Sequence, residues 1–269
     1  MDHINKKMPH KKSSLSQVFL RDEEPCYKMI DALKSSGVSD VCEIGPGGGI
    51  LTKLLLDAGM KVTAIDKDQR FCDFLTEKLC AKHSNGKNLT LINKDFLDFS
   101  LQEWIEENKG KKLAICGNIP YSISSAIITK TVSLVSKVEG VWLLVQHDFA
   151  KRLVASPCTK AYGSLSVYLQ LRAKVKLEFF VDKICFTPVP KVDSAVISIK
   201  NRDHHFSSQQ LAKTEKLTKY LFSKRRKKLK TSLKAIIDLK TIPNFPFDLD
   251  KRCEVFTPEE LLQMAELLK

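Results

Sequence analysis

The sequence predicts an α/β protein, with short apolar strands that alternate with helices, followed by a small all-helical region. A glycine-rich turn at 45–49 lies between an apolar strand and a helical stretch, and beyond residue 208 apolar residues recur at helical intervals. Five apolar segments are expected to be buried strands, at 41–44, 61–65, 89–92, 113–115 and 141–145.

Length and composition restrict the class of protein. The 269 residues suffice for one large domain and one small one, and 43% hydrophobic with 28% charged residues is typical of a globular chain. No apolar run approaches the roughly 18 residues of a membrane span. Residues 1–12 are polar and basic and lack the apolar core of a signal peptide. We therefore expect a cytoplasmic protein without a membrane partner.

The eight cysteines are predicted to be reduced and structural. None forms a C-x-x-C pair, and the spacing that a zinc site needs is missing. We expect no metal.

The net charge of +13 favours a polyanionic partner, and nucleic acid is the first candidate. The charge is densest in the five consecutive basic residues 224–228, which include Arg225, Arg226, Lys227 and Lys228. A basic surface that serves only solubility, and a solvated helix face for this run, remain the alternatives.

The glycine-rich turn predicts a nucleotide site. Strand 41–44 opens into Gly45–Gly49, and a helix follows from Ile50. Glycines let the backbone approach a ligand closely, and a helix N-terminus offers N–H groups. The dinucleotide fingerprint G-x-G-x-x-G would need glycine at position 50, so this turn does not match it.

Two acidic residues follow neighbouring strands. Asp66 ends the second strand, where a carboxylate can accept from both hydroxyls of a ribose. Asp95 follows the third strand. The alternatives are a solvated turn acid for Asp66 and a helix cap for Asp95.

The segment Asn118-Ile119-Pro120-Tyr121 follows the fourth strand, where open α/β sheets bind ligands. Asn118 offers an amide oxygen, and Ile119, held extended by the following proline, offers its carbonyl. Tyr121 offers a face on which a base can stack. Two acceptors beside an aromatic ring suit an exocyclic amine such as N6 of adenine. A plain strand-to-helix turn with a buried tyrosine is the alternative.

Four motifs carry a resemblance to a known family. Asn118–Tyr121 resembles the Asn/Asp-x-Pro-Tyr motif of S-adenosylmethionine-dependent amino-methyltransferases, and residues 43–52 resemble the block E-I-G-P-G-x-G-x-L-T. Residues 162–167 and 186–196 match two further blocks. From about residue 15 to its end, the chain is similar to bacterial small-subunit rRNA adenine N6,N6-dimethyltransferases.

This resemblance implies a Rossmann-like class I S-adenosylmethionine methyltransferase sheet of seven mostly parallel strands, the last antiparallel, with a small C-terminal all-α domain. The implied domains are 1–203, with a basic arm at 1–14, and an RNA-binding domain at 204–269. The implied reaction is methyl transfer to N6 of two adjacent adenosines in a hairpin loop near the 3′ end of 16S rRNA, by a monomer.

The resemblance also implies roles for single residues. Asn118, Ile119, Pro120 and Tyr121 would hold the target adenine, with Phe186 on its other face. Arg225–Lys228 would contact RNA. The residues implied to hold the cofactor are Val18, Leu20, Gly45, Gly47, Asp66, Lys67, Asp95, Phe96 and Asn118.

Departures from the family pattern keep two other functions open. Val18 replaces an asparagine, Asp66 replaces a glutamate, and His147-Asp148 replaces Lys-Glu. No serine or cysteine nucleophile motif lies near His147, so we do not expect it to be catalytic. The alternatives are a 23S rRNA adenine methyltransferase of the macrolide-resistance type and an RNA-binding assembly factor without catalysis.

Overall fold

The computed structural model describes residue 9 and residues 18–80, 87–203, 206–237 and 245–268. Except for residue 9, the predicted basic arm at 1–14 lies outside the described residues.

Most of the strands in the described residues belong to one sheet. The strands are β1 (Phe19–Leu20), β2 (Asp40–Ile44), β3 (Lys61–Asp66), β4 (Leu89–Asn93), β5 (Leu113–Asn118), β6 (Gly140–Gln146), β7 (Ala173–Val181), β8 (Phe186–Thr187) and β9 (Ser194–Asn201). Seven of them form a sheet in the order β4-β3-β2-β5-β6-β9-β7, and β1 pairs with β8 separately. The pairs from β4 to β6 are parallel, whereas β9 runs antiparallel to β6. The predicted seven-stranded, mostly parallel sheet with an antiparallel last strand is confirmed.

Helices connect the strands and make up the C-terminal region. They are α1 (Glu24–Ser35), α2 (Ile50–Asp57), α3 (Gln69–Leu75), α4 (Leu101–Glu107), α5 (Ser124–Val132), α6 (His147–Leu153), α7 (Ser164–Gln170), α8 (Ser208–Ser223), α9 (Leu229–Leu233) and α10 (Pro258–Leu267). Thr257 starts α10 with a reciprocal capping box. None of the helices among the described residues is long and apolar enough to span a membrane.

The register of the central strands brings their carboxyl ends together. All five residues of β2 are buried, as expected for a strand covered on both faces. Ile44 lies beside Ile65, and Glu43 lies beside Cys116. Gly45, which follows β2, and Asp66, the last residue of β3, therefore reach the same edge of the sheet as the end of β5.

The described residues divide into two compact units. The first runs through Ala150 and includes 176–201, and the second comprises 151–175 and the residues from Arg202 onward. The second unit thus takes up 151–175, which the sequence had placed with the first domain. Tyr162 explains the difference, because its buried hydroxyl donates to the Phe256 carbonyl at 2.9 Å within the core of the second unit.

The basic run is not on a helix face. The helical pattern predicted across residues 217–236 is interrupted, since α8 ends at Ser223 and residues 224–228 form a turn before α9.

Candidate active site

A cleft of about 300 Å³ opens at the carboxyl ends of β2, β3 and β5 and beside the loop after β4. It lies entirely within the first unit. The sequence-predicted residues that line it are Val18, Leu20, Gly45, Gly47, Asp66, Lys67, Asp95, Phe96, Asn118, Ile119, Pro120 and Tyr121. Of the predicted cofactor and target-base residues, only Phe186 is outside this lining.

The glycine turn forms one wall because its backbone adopts left-handed conformations. Gly45 has φ of 67° and Gly47 has φ of 49°. A β-carbon on Gly47 would lie 2.9 Å from the Phe19 ring, and one on Gly45 would lie 3.7 Å from the Asn118 carbonyl. Glycine at these positions therefore leaves room for a ligand between the turn and its neighbours.

Asp66 faces the glycine turn from the tip of β3. One carboxylate oxygen accepts from the Gly47 N–H at 3.3 Å and the other from the Asp68 N–H at 2.9 Å. Burial raises the pKa of Asp66, and the two backbone hydrogen bonds oppose that rise. The carboxylate is thus held in one orientation at the cleft wall.

Glu43 is an acidic residue of the cleft that the sequence reasoning did not select. It lies in β2 with 1% exposure, and burial raises its pKa to about 7. Among the described residues, neither its Oε2 nor the buried Thr52 hydroxyl has a hydrogen-bond partner of good geometry, although Thr52 is close enough to oppose part of the rise in the pKa of Glu43. The signal that could have found it is an acid within an otherwise apolar strand, because such a group needs a partner. A buried carboxyl oxygen without a partner suits a cationic ligand.

The loop after β4 carries the other polar contact. Asp95 pairs with Lys67 at 2.8 Å and accepts from the Leu97 N–H at 2.9 Å. The Lys67 ammonium lowers the pKa of Asp95. Phe96, only 5% exposed, lines the cleft beside it. Asp95 therefore caps a turn, and not a helix, while its carboxylate remains at the cleft.

Asn118 presents an oxygen to the cleft because its nitrogen is used elsewhere. The side-chain nitrogen donates to the Val18 carbonyl at 2.9 Å. A backbone carbonyl can only accept, so the amide nitrogen must face Val18 and Oδ1 must point away from it. The backbone carbonyl of Val18 thus orients Asn118. This orientation does not depend on the Val18 side chain, which stands where the family has an asparagine.

The rest of this turn is fixed by packing and by one side-chain hydrogen bond. The Ile119 side chain is 1% exposed, and its carbonyl accepts no hydrogen bond from the residues that the structure describes. The Tyr121 hydroxyl lies 2.7 Å from Oγ of the buried Ser194, and burial raises the pKa of Tyr121. The tyrosine ring is therefore pinned at the edge of the cleft.

The structure places Phe186 in the core. Its side chain has 0% exposure and packs in the core of the first unit, where Phe186 pairs with Leu20 across β8 and β1. The core position that the sequence left open is therefore the one observed, and the contact of Phe186 with a target base stays a prediction.

His147 also lies apart from the cleft lining. Its ring contacts the half-exposed Phe180 edge-on, with 5.1 Å between the ring centroids. In the described part of the chain no cluster of His, Cys, Asp and Glu could hold a metal ion.

The four predicted RNA-binding residues belong to the second unit and differ in their surroundings. Arg225 is half-buried and donates to Glu254 and to the carbonyls of Thr159 and Lys160. Lys228 pairs with Asp250 at 3.0 Å, with both side chains exposed. Arg226 and Lys227 are exposed and have no ion-pair partner among the described residues.

Comparison with known proteins gives concordant matches. A family model described as ribosomal RNA adenine dimethylase matches residues 8–269. The ribosomal RNA small subunit methyltransferase A of Chlorobium phaeobacteroides (strain BS1) is 34% identical over 258 residues, 96% of this chain and 94% of that protein. The protein of the same name from Mycoplasmopsis synoviae (strain 53) is 37% identical over 233 residues, 87% of this chain and 85% of that protein.

A solved structure agrees in fold. The crystal structure of 23S rRNA methyltransferase ErmE is 25% identical, with a TM-score of 0.71, and the match covers 93% of this chain and 99% of that one.

Proposed function

Because the chain belongs to the ribosomal RNA adenine dimethylase family, we propose that it dimethylates N6 of two adjacent adenosines in a hairpin loop near the 3′ end of 16S rRNA during small-subunit biogenesis. The family makes it an S-adenosylmethionine-dependent rRNA adenine dimethyltransferase. The small-subunit target is supported by the names of its relatives.

One observation carries the proposal for the site: the Asn118 amide is oriented so that Oδ1, together with the Ile119 carbonyl, is available beside the Tyr121 ring. These groups line the same cleft as the glycine turn. A planar base with an exocyclic amine can therefore meet two acceptors and a stacking surface next to a nucleoside site.

The acidic residues of the cleft fit S-adenosylmethionine. This cofactor supplies an electrophilic methyl group on a positively charged sulfonium. Glu43 has a buried oxygen with no hydrogen-bond partner among the described residues, which suits the cationic methionine end. Asp66 lies beside the glycine turn, where it suits the ribose, and Asp95 with Phe96 suits the adenine. Lys67 holds Asp95 in place.

Asn118 and Ile119 activate the amine by accepting hydrogen bonds from its N–H groups. The N6 lone pair of adenine is conjugated with the ring, and two acceptors favour the tetrahedral form in which it is available for attack. Neither group is a general base, and none is needed, because the methylated amine is strongly acidic as a cation. Positioning of the two reactants supplies up to ~7–11 kcal/mol in favourable cases. Removing the base from its stack in the RNA costs a few kcal/mol. Tyr121 then stacks on the extruded base.

RNA binding is assigned to the basic segment 224–228, and within it mainly to Arg226 and Lys227, because both are exposed without an ion-pair partner among the described residues. The Lys228–Asp250 pair is exposed and can exchange for a phosphate. We propose that the active form is a monomer. We expect the reaction to occur in the cytoplasm, where ribosomal subunits assemble.

The decisive experiment uses methyl-labelled S-adenosylmethionine with unmethylated small subunits, followed by mapping of the label by primer extension. We expect two adjacent stops near the 3′ end of 16S rRNA. Large subunits serve as the matched substrate control. No label on either subunit would instead support an assembly factor without catalysis.

The second candidate is a 23S rRNA adenine methyltransferase of the macrolide-resistance type. The match to 23S rRNA methyltransferase ErmE over 93% of this chain favours it. Label on large subunits or their RNA, with none on small subunits, would select this function over the first.

A further inference from the structure

Lys130 holds the loop that forms the adenine side of the cleft. It lies on α5, and its Nζ donates to the backbone carbonyls of Phe96 at 2.9 Å, Leu97 at 2.6 Å and Phe99 at 2.6 Å. The ammonium also lies 5.4 Å from the centroid of the Phe96 ring. A lysine has three N–H donors, so all of them are used within the protein.

This arrangement is unusual for a surface helix, because lysine normally keeps its charge in water. Burial lowers the pKa of Lys130, while Asp98 and Asp95 oppose that change. Three charge-assisted hydrogen bonds offset the loss of hydration. Since no donor remains for a ligand, the role of Lys130 lies in what it holds.

The loop it holds is already ordered on its other side. The Asp98 and Phe99 N–H groups both donate to the Asp95 carbonyl at 3.0 Å, and the Leu97 N–H donates to the Asp95 carboxylate. These contacts satisfy donors of the turn, whereas Lys130 satisfies its carbonyls. Together they fix the backbone that carries Asp95 and Phe96 into the cleft.

The helix that carries Lys130 starts next to the target-base turn. Residues 121–123 form a 3₁₀ turn directly after Pro120, and α5 follows from Ser124. Ser124 itself donates to the Pro120 carbonyl at 3.2 Å. One helix therefore fixes the turn on one side of the cleft and the loop on the other.

We infer that Lys130 is a positioning residue for the adenine end of S-adenosylmethionine, acting through the loop at residues 95–99. The inference rests on the proposed function, since it takes the assignment of Asp95 and Phe96 to the cofactor adenine from there. It adds a residue that lies outside the cleft lining and that no sequence motif selected.

The test measures the affinity of Lys130→Met by calorimetry for two ligands, S-adenosylmethionine and 5′-methylthioadenosine. Both contain the adenine and the ribose, and the second lacks the methionine carboxylate and ammonium. We expect both dissociation constants to rise by a similar factor, about 10- to 100-fold, as for the loss of a hydrogen bond to a charged group. The methylation rate at saturating cofactor should change little, which separates a cofactor effect from general damage.

Two variants serve as matched controls. Lys137→Met removes a nearby lysine that pairs with Glu106 outside the cleft, and both affinities should remain at the wild-type value. Glu43→Gln should weaken S-adenosylmethionine more than 5′-methylthioadenosine, because Glu43 is assigned to the cationic end. This opposite selectivity distinguishes the two ends of the site.

Lys130→Arg retains a cation with several donors and should recover part of the affinity for both ligands. If Lys130→Met does not fold, as judged by thermal unfolding, Lys130→Arg and Lys130→Gln are compared in its place, and the glutamine variant should bind both ligands more weakly than the arginine variant. Unchanged affinity in Lys130→Met, or equal affinities in the substitute pair, would overturn the inference. A wild-type protein that binds neither ligand would refute the proposed function instead.

Discussion

The cleft and the basic segment 224–228 hold their polar side chains in different ways. In the cleft, one end of a side chain is hydrogen-bonded within the protein and the other end is available to a ligand. The Asn118 side-chain nitrogen donates to the Val18 carbonyl, and its oxygen is available to a ligand. In the basic segment, adjacent side chains of the same charge have different surroundings. Arg225 is bound on all sides within the second unit, whereas Arg226 is exposed.

The difference teaches where residue identity is enough to predict a role. At the ends of the parallel strands the backbone geometry decides which atom faces the ligand. Within a run of basic residues on a turn, the local neighbours of each side chain determine whether it is bound within the protein or exposed. Four adjacent cations therefore do not form four equal phosphate contacts.

The largest effect is expected for Asn118→Ala, which removes an acceptor from the cleft. Because its contact strengthens as the amine becomes tetrahedral, the single-turnover rate of methyl transfer should fall about 10²–10³-fold, as for one preorganised transition-state hydrogen bond. RNA affinity should barely change, because phosphate contacts dominate it. Rapid-quench measurement of methyl transfer checks the rate.

Tyr121 supplies the control for that variant. Tyr121→Phe keeps the stacking ring and loses only the hydroxyl bonded to Ser194. It should remain largely active, whereas Tyr121→Ala should lose stacking worth about 1–3 kcal/mol and with it the occupancy of the flipped base. A wild-type single-turnover rate in Asn118→Ala would make the turn a scaffold and remove the contrast with the basic segment.

The next effect concerns Glu43 and pH. Its pKa of about 7 in the folded protein exceeds the ordinary value of 4.5, so the native state binds its proton more tightly than the unfolded chain. The stability that this provides is fully present below pH 4.5 and is lost as pH rises to about 7. The rise in the pKa of Glu43 from 4.5 to about 7 corresponds to about 3 kcal/mol of unfolding free energy, at 1.36 kcal/mol per pH unit.

Urea unfolding of cofactor-free protein at pH 5 and pH 8 measures this contribution. Glu43→Gln removes this titration. The unfolding free energy of the variant should therefore increase relative to that of the wild type as pH rises. Asp66 has a raised pKa as well and is present in both proteins, so the difference retains only the Glu43 titration and its electrostatic coupling to Asp66. An identical pH dependence in the two proteins would mean that Glu43 is ionised and already paired.

These residues also show how far the sequence could predict the structure. Strand runs and the glycine turn located the cleft, because parallel strands place their carboxyl ends at one edge. The sequence could not assign Phe186, since whether an aromatic side chain packs in the core or faces a ligand depends on contacts from distant segments such as β1. Glu43 and Lys130 were missed for a related reason, because their environment is made by residues far away in the chain.

A smaller effect is expected from Asp66→Ala. The carboxylate is assigned to the ribose, and its loss should weaken S-adenosylmethionine binding by about 1.5–3 kcal/mol, the range for a hydrogen bond to a charged group. Calorimetry gives the affinity directly. Asp57→Ala is the matched control, since Asp57 pairs with Lys53 on α2 outside the cleft lining and should leave the affinity unchanged. Equal affinities in both variants would return Asp66 to a turn acid that only caps the glycine loop.

The smallest effect tests the basic segment itself. Replacing both Arg226 and Lys227 by glutamine should lower the salt dependence of RNA binding by about 1.4–1.8 in the log–log slope, at 0.7–0.9 per phosphate contact. Arg225→Gln should leave the slope nearly unchanged and instead lower the unfolding temperature, because Arg225 is bound to Glu254 and to two backbone carbonyls. Lys228→Gln should fall between these, since its exposed pairing with Asp250 competes with a phosphate.

Fluorescence anisotropy over a salt series separates the three cases. Cofactor binding is measured in parallel and is expected to stay constant. If Arg225→Gln lowers the slope by about one full contact, its internal hydrogen bonds must break on RNA binding, and the basic segment would then act as one uniform surface.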